Sequence, residues 1–440
     1  MTQHHEQSDN SSRNNTAAAH DTPQNASQHT TTAKQQRRPK NYWILVAFAV
    51  FIVAWGGNEF TPMMVFYRQE HVFGAVFVES LLACYAAGIA VSLLLSGPLS
   101  DRFGRKIVML PAPLIALVAS LLIAVGEVNE PLIFTGRVLS GIAIGSAMTA
   151  GGSWIKELSN PRLDPSARPN SGAKRATMSL TGGFALGAAL AGSLAEWGPA
   201  PGQTTYVIHA ILAAVAMFGL LSVPETRQSA HLKVKGSLWS DLLVPTARHP
   251  RFLLVVLPIA PWVFGSAGVA YAIMPSLAQK GVEYPIAFSA LVTALSLATG
   301  FIVQQFVHLY TSPRDARGPQ LGLVLAFIGM ALAAYVSENV TSWGVLAVAV
   351  LLGLAYGICL ISGLGEVQRL AGPDDLGGLT AIFYTVTYIG FFFPMILRRL
   401  NDWFTYPMML GFGAVMAALF FVVVTANSKK FLPENPQDSQ

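Results

Sequence analysis

Three charged residues, Glu59, Glu79 and Arg137, stand inside long apolar runs of the sequence. A charge within a membrane helix costs ~2.5–3.5 kcal/mol on insertion scales, so each should face a partner or a wet cavity. Counted from the ends of their runs, all three lie about five to seven residues deep, ~9 Å at 1.5 Å per residue. They therefore share one layer. Burial opposes the charge on a carboxylate and a nearby arginine favours it, so small rearrangements decide whether a proton is held or released. Two carboxylates around Arg137 are thus expected to form a protonation site. A static buried ion pair, or an arginine snorkelling to the interface, are the competing structural readings. Gly56, Gly57 and Pro62 interrupt the run around Glu59, and broken helices at membrane depth are tolerated where they line a cavity.

A second cluster is Gly97-Pro98-Leu99-Ser100-Asp101-Arg102-Phe103-Gly104-Arg105-Lys106. Gly97 and Gly104 permit a tight turn, and Asp101 can accept hydrogen bonds from neighbouring arginines or a helix N-terminus. A third set pairs polar or aromatic side chains with Gly and Pro: Asn58, Trp262, Tyr271, Tyr384 and Tyr388. These are expected to wall a pocket for an apolar or aromatic solute, although plain helix packing also accounts for them. No Gly-Lys-Ser/Thr phosphate loop is present, which argues against an ATP-driven pump. No nucleophile–histidine arrangement points to an enzyme. Cys84 and Cys359 fall inside apolar runs, and the histidines of the first 40 residues lack ligand spacing, so neither metal nor cofactor is expected.

The elements that position these residues are membrane helices. The chain has 440 residues, is 52% hydrophobic and only 12% charged, about half the usual charge fraction of a soluble domain. Twelve apolar runs are long enough to cross a bilayer, at about 20 residues each: 42–66, 74–96, 107–126, 131–154, 176–198, 204–223, 252–276, 286–307, 320–337, 343–365, 378–397 and 403–426. With both termini in the cytoplasm, the cytoplasmic segments carry 23 of the 28 Lys and Arg. Arg68, Lys280, Arg398 and Arg399 fall outside, and Arg137 lies within a helix. That asymmetry fits retention of positive charge inside. The same placement, in short loops rather than on one folded face, argues against a nucleic-acid partner.

The expected organisation is a disordered cytoplasmic tail (1–41), a six-helix bundle (42–223), a cytoplasmic central loop (224–251), a second six-helix bundle (252–426) and a cytoplasmic tail (427–440). The central loop holds a Trp-Ser-Asp-Leu-Leu stretch that fits an interfacial helix. Gly88 precedes Arg105 by seventeen residues, as Gly300 precedes Arg317, and Pro313 replaces the aspartate in the second copy. Internal repeats of this kind are common in transporters.

The loop Gly97-x-x-x-Asp101-Arg102-x-Gly104-Arg105-Lys106, placed between the second and third helices, resembles the signature loop of the major facilitator superfamily. Gly136-Arg137-x-x-x-Gly141-x-x-x-Gly145 and Pro224-Glu225-Thr226 are further matches, and the layout of twelve helices in two sixes covers residues 42–426. The resemblance implies an all-α integral membrane fold of two pseudo-symmetric six-helix bundles. It also implies a cytoplasmic latch between Asp101 and Arg105 and a proton-coupling role for Arg137. It places helix 6 on the periphery, which leaves His209 out of the mechanism. Drug/proton antiporters of the superfamily usually carry a Gly-Pro pattern in helix 5; here Gly182, Gly183, Gly187 and Gly192 occur without proline. The expected function is secondary, proton-coupled efflux of a small organic compound by a monomer in the cytoplasmic membrane. A nutrient-importing proton symporter, or a membrane sensor that does not transport, are the rivals.

Overall fold

The structure, a computed structural model, describes residues 41–70, 73–168, 171–227, 244–312, 314–371 and 376–432. The N-terminal tail, the Trp-Ser-Asp-Leu-Leu stretch, Pro313 and residues 433–440 lie outside the described residues.

Twelve helices span the fold: α1 (Tyr42–Gln69), α2 (Ala75–Phe103), α3 (Arg105–Val125), α4 (Glu130–Leu158), α5 (Ser171–Trp197), α6 (Thr204–Leu221), α7 (Phe252–Gly281), α8 (Pro285–Gln304), α9 (Arg317–Glu338), α10 (Ser342–Leu370), α11 (Leu376–Leu400) and α12 (Tyr406–Asn427). No strand occurs among the described residues. Helices satisfy their own backbone groups, which is why uniformly apolar runs cross a bilayer in this form. α1–α6 pack among themselves, as do α7–α12, and the halves meet along α2 with α11 and α5 with α8. The chain is a multi-pass membrane protein.

Three helices that carry candidate residues, α1, α4 and α7, are irregular. α1 resolves into Tyr42–Asn58 and Phe60–Gln69, with Glu59 at the joint. Pro62 has no N–H to donate to the carbonyl of Asn58, so the ladder is interrupted where the acid sits. α4 holds a π-helical turn at Ala147–Gly151, and α7 holds two, Phe252–Val256 and Val269–Ile273.

Glycine sets the closest approaches. A side chain at Gly88 would collide with the Val138 carbonyl of α4, and one at Gly141 with the Tyr85 carbonyl of α2. In the second half, Gly300 of α8 lies against the Gly353 carbonyl, and Gly357 of α10 against that of Gly300. The repeat read at Gly88 and Gly300 is therefore one packing device used twice. Gly183 and Gly187 bring α5 onto the α1 backbone at Phe51 and Trp55, a contact that needs no proline.

Several helices run past their expected ends, and two of these ends bear on the candidate residues. α2 continues to Phe103, so Gly97, Asp101 and Arg102 are helical and the turn before α3 is made by Gly104 alone, with φ +106°. α1 runs on to Gln69, which turns Arg68 from a loop residue into part of its last turn. Hydropathy stops marking helices at the membrane edge, where backbone hydrogen bonding carries them further.

Candidate functional site

Glu59, Glu79, Arg137 and His209 are each 1% exposed, but they do not form one cluster. From the joint in α1, Glu59 points toward α3 and α6. Ser120 of α3 donates to its Oε1 and Thr205 of α6 to its Oε2, both at 3.4 Å. His209 Nδ1 lies 3.8 Å from Oε1 and 2.6 Å from Ser120 Oγ, and His209 Nε2 lies 2.9 Å from the Ile52 carbonyl. His209, set aside on the sequence, is thus the ionisable neighbour in contact with Glu59. Gly56 makes the room, since any Cβ there would overlap the imidazole. That glycine, one turn from Glu59, was the sequence signal for a bulky guest.

Arg137 is held differently. Its guanidinium lies 4.4 Å from the centroid of Phe60 and 4.3 Å from that of Tyr85. Nε and Nη1 point at the carbonyls of Leu81 and Gly57, both at 3.4 Å. Two aromatic faces and two carbonyls replace the water a guanidinium would lose; a desolvated cation–π contact contributes about 2 kcal/mol. The side chain is enclosed, so the snorkelling reading does not hold.

Glu79 is a correction. Its carboxylate takes Arg68 Nη1 at 2.5 Å rather than Arg137. The short α1–α2 connection brings the last turn of α1 beside the first turns of α2, so Arg68 reaches Glu79 first.

The α2–α3 connection is a charge network. Arg105 binds Asp101, Glu157 and Ser100, each at 2.9 Å. Arg227 also binds Asp101, at 2.7 Å. Glu225, from the Pro-Glu-Thr motif, accepts from the backbone N–H of Arg105 and Lys106 at 3.1 and 2.8 Å and so caps α3. Its carboxylate occupies the space a side chain at Gly104 would fill. The ion pair expected of Asp101 and Arg105 is present, and the partners named here come from the first six helices and, through Glu225 and Arg227, from the start of the central loop. In the second half, Arg317 is 72% exposed and pairs with Asp315. The buried counterpart is Arg251, which grips Glu366 at 2.7 and 3.1 Å and reaches the carbonyls of Ser428 and Lys430. By sequence Arg251 is a loop charge, and Glu366 lies just past the apolar run 343–365.

On the far face, opposite this connection, the halves touch through polar atoms. Glu196, near the end of α5, accepts from the backbone N–H of Ile286 and Ala287 at 2.8 and 2.9 Å, capping α8. Trp197 packs on Tyr284 with centroids 5.6 Å apart.

The expected pocket residues separate. Tyr271 and Tyr388 converge on Phe391, at 6.3 and 5.8 Å, and Phe264 stacks on Tyr388 at 4.3 Å. Tyr85 approaches Phe391 from the first half at 6.5 Å, and the Tyr388 hydroxyl reaches Met148 Sδ at 3.5 Å. This aromatic cluster bridges the halves. Tyr384 packs on Phe383. Trp262 departs from the set, facing Phe393 and Phe420. Asn58 is committed to packing: it donates to the Phe184 carbonyl at 3.0 Å and accepts from Thr61 at 2.7 Å.

Comparison with known proteins fits this architecture. Multidrug resistance protein 2 of Bacillus subtilis (strain 168) is 24% identical over 368 residues, 80% of this chain and 86% of that protein. Multidrug resistance protein 1 of the same organism is 26% identical over 250 residues, 57% of this chain; the match spans 60% of that relative's length. Among solved structures, the nucleoside transporter NupG superposes with a TM-score of 0.68 at 12% identity, covering 88% of this chain and 99% of that one. The family model of the Major Facilitator Superfamily matches residues 44–395. Twelve helices in two related sixes, the charged α2–α3 connection and this match place the chain in the Major Facilitator Superfamily.

Proposed function

We propose that this transporter exports a small apolar or aromatic organic compound in exchange for protons. The two six-helix bundles, residues 42–223 and 252–426, rock about the aromatic cluster, with 224–251 as the link between them. The protein works as a monomer in the cytoplasmic membrane, with the α2–α3 connection and both termini inside. The placement of 23 basic residues on that side supports the orientation. Glu59 carries the proton, and Arg137 sets the field in which it does so. Asp101, Arg105 and their partners steady the cytoplasmic end of the first bundle, Arg68 and Glu79 tie α1 to α2 on the outer side, and Tyr271, Tyr384 and Tyr388 meet the substrate.

The observation that carries this reading is Glu59, an acid enclosed at a helix break, 3.4 Å from two hydroxyls and 3.8 Å from an imidazole. An inert scaffold gains nothing from such an insertion cost. The printed names of the multidrug relatives support the substrate class and direction. The test is flux of fluorescent aromatic compounds in proteoliposomes under an imposed pH gradient. Transport should follow the gradient, and equal flux with and without it would overturn proton coupling.

A further inference from the structure

We propose that His209 is a second proton-holding residue of the coupling site, exchanging one proton with Glu59 through the hydroxyl of Ser120. The inference deepens the proton-coupled reading above and rests on it for its transport role.

The hydrogen-bond roles follow from the chemistry of the partners. A carbonyl only accepts, so at 2.9 Å from the Ile52 oxygen, His209 Nε2 carries a hydrogen. Nδ1, 2.6 Å from Ser120 Oγ, then has two possible states. Without a proton it accepts from Ser120, whose single hydrogen is thereby turned away from Glu59, and the carboxyl is best matched as the acid. With a proton it donates to Ser120, which turns its own hydrogen to Glu59 Oε1 at 3.4 Å, and the carboxylate is matched. The two states interconvert by one transfer. The Glu59 O–H breaks as a new Ser120 O–H forms, and the former Ser120 O–H breaks as the His209 Nδ1–H forms. The transfer separates charge into a carboxylate and an imidazolium but leaves the net charge unchanged, and no other reactant is needed. The loaded triad is neutral overall, and the empty one carries one negative charge.

The surroundings fit a two-position proton site. The titratable or charged groups facing it are Glu59 and Tyr67 on α1, Arg137 on α4 and Tyr206 on α6; α3 supplies only the Ser120 hydroxyl. Thr205 donates to Glu59 Oε2 in either state. The site sits between α1, α3 and α6 and meets the aromatic cluster between the halves only through Arg137, whose guanidinium lies over the ring of Tyr85, so a proton can be stored while the substrate path rearranges.

The test is nitrogen NMR of the full chain, labelled at histidine, in lipid nanodiscs between about pH 5 and 9. His209 is identified by the signal lost in His209→Gln. The Nδ1-protonated fraction should change roughly tenfold at fixed pH in both Glu59→Gln and Ser120→Ala, as for coupled titrating sites. A fraction unchanged in both variants overturns the proposal. A change in Glu59→Gln without one in Ser120→Ala overturns the route through the hydroxyl. Flux in the same preparation separates the two levels. If flux ignores the pH gradient while both variants alter His209, the relay stands and the transport reading falls.

Discussion

A methyl group added at Gly56 would sit 2.5 Å from His209 Nε2 and closer still to Cε1. Gly56→Ala alters no polar atom, yet the imidazole must leave its place between Ile52 and Ser120. The variant loses two buried hydrogen bonds, at 2.9 and 2.6 Å, each contributing about 0.5–1.5 kcal/mol. It also crowds a packed interface, which costs about 1–3 kcal/mol. Together these amount to about 2–6 kcal/mol. Thermal unfolding in detergent should show a drop of several degrees, and Gly56→Ala should cost much less in a His209→Ala background, where the ring is gone. Gly365→Ala is the control, since an added Cβ there meets nothing within 4 Å, and it should be neutral or slightly stabilising. Equal losses from Gly56→Ala with and without His209 would refute the placement of the imidazole.

Glu196→Ala removes both caps of α8 that come from the other half. It should favour separation of the far face by about 1–3 kcal/mol, read as a longer distance between spin labels at Pro199 and Gly281. Arg105→Lys keeps the charge but loses the fork that holds Asp101, Ser100 and Glu157. It should cost about 1.5 kcal/mol or more, seen as lower thermal stability and faster hydrogen exchange around Glu157. In the α4–α5 connection, hydrogen bonds from Ser166, with help from Arg175, hold the Asp164 carboxyl below the usual carboxylate range. A depressed value means that its stabilisation is complete above about pH 4 and is lost as the pH falls through the folded value. Pepsin should therefore begin to cut residues 159–168 in acid, and Asp164→Asn should flatten that pH dependence.

The twelve helices were legible because only long apolar runs can cross a bilayer, and the depth of Glu59 and Arg137 followed from counting along them. Azimuth was not legible in α1, which is apolar on every side, so nothing in its pattern says that Glu59 turns toward α3 and α6. The aromatic cluster could have been read further. Phe264 and Tyr271 are seven residues apart and share a face, whereas Trp262 points ~200° away from Phe264 at 100° per residue. Tyr388 and Phe391, three residues apart, likewise share a face of α11. The pairing of Arg68 with Glu79 depends on where α1 ends, and that of Arg251 with Glu366 on contacts over 115 residues of chain. Neither leaves a local mark.

Proton coupling through Glu59 is tested most directly by flux in proteoliposomes under an imposed pH gradient, comparing the wild-type chain with Glu59→Gln. The amide keeps the size and the acceptor for Ser120 and Thr205 but cannot cycle a proton. The account predicts gradient-driven flux in the wild type and none above the gradient-free level in the variant, with the folded protein recovered in equal yield. Undiminished gradient-driven flux in Glu59→Gln would contradict it.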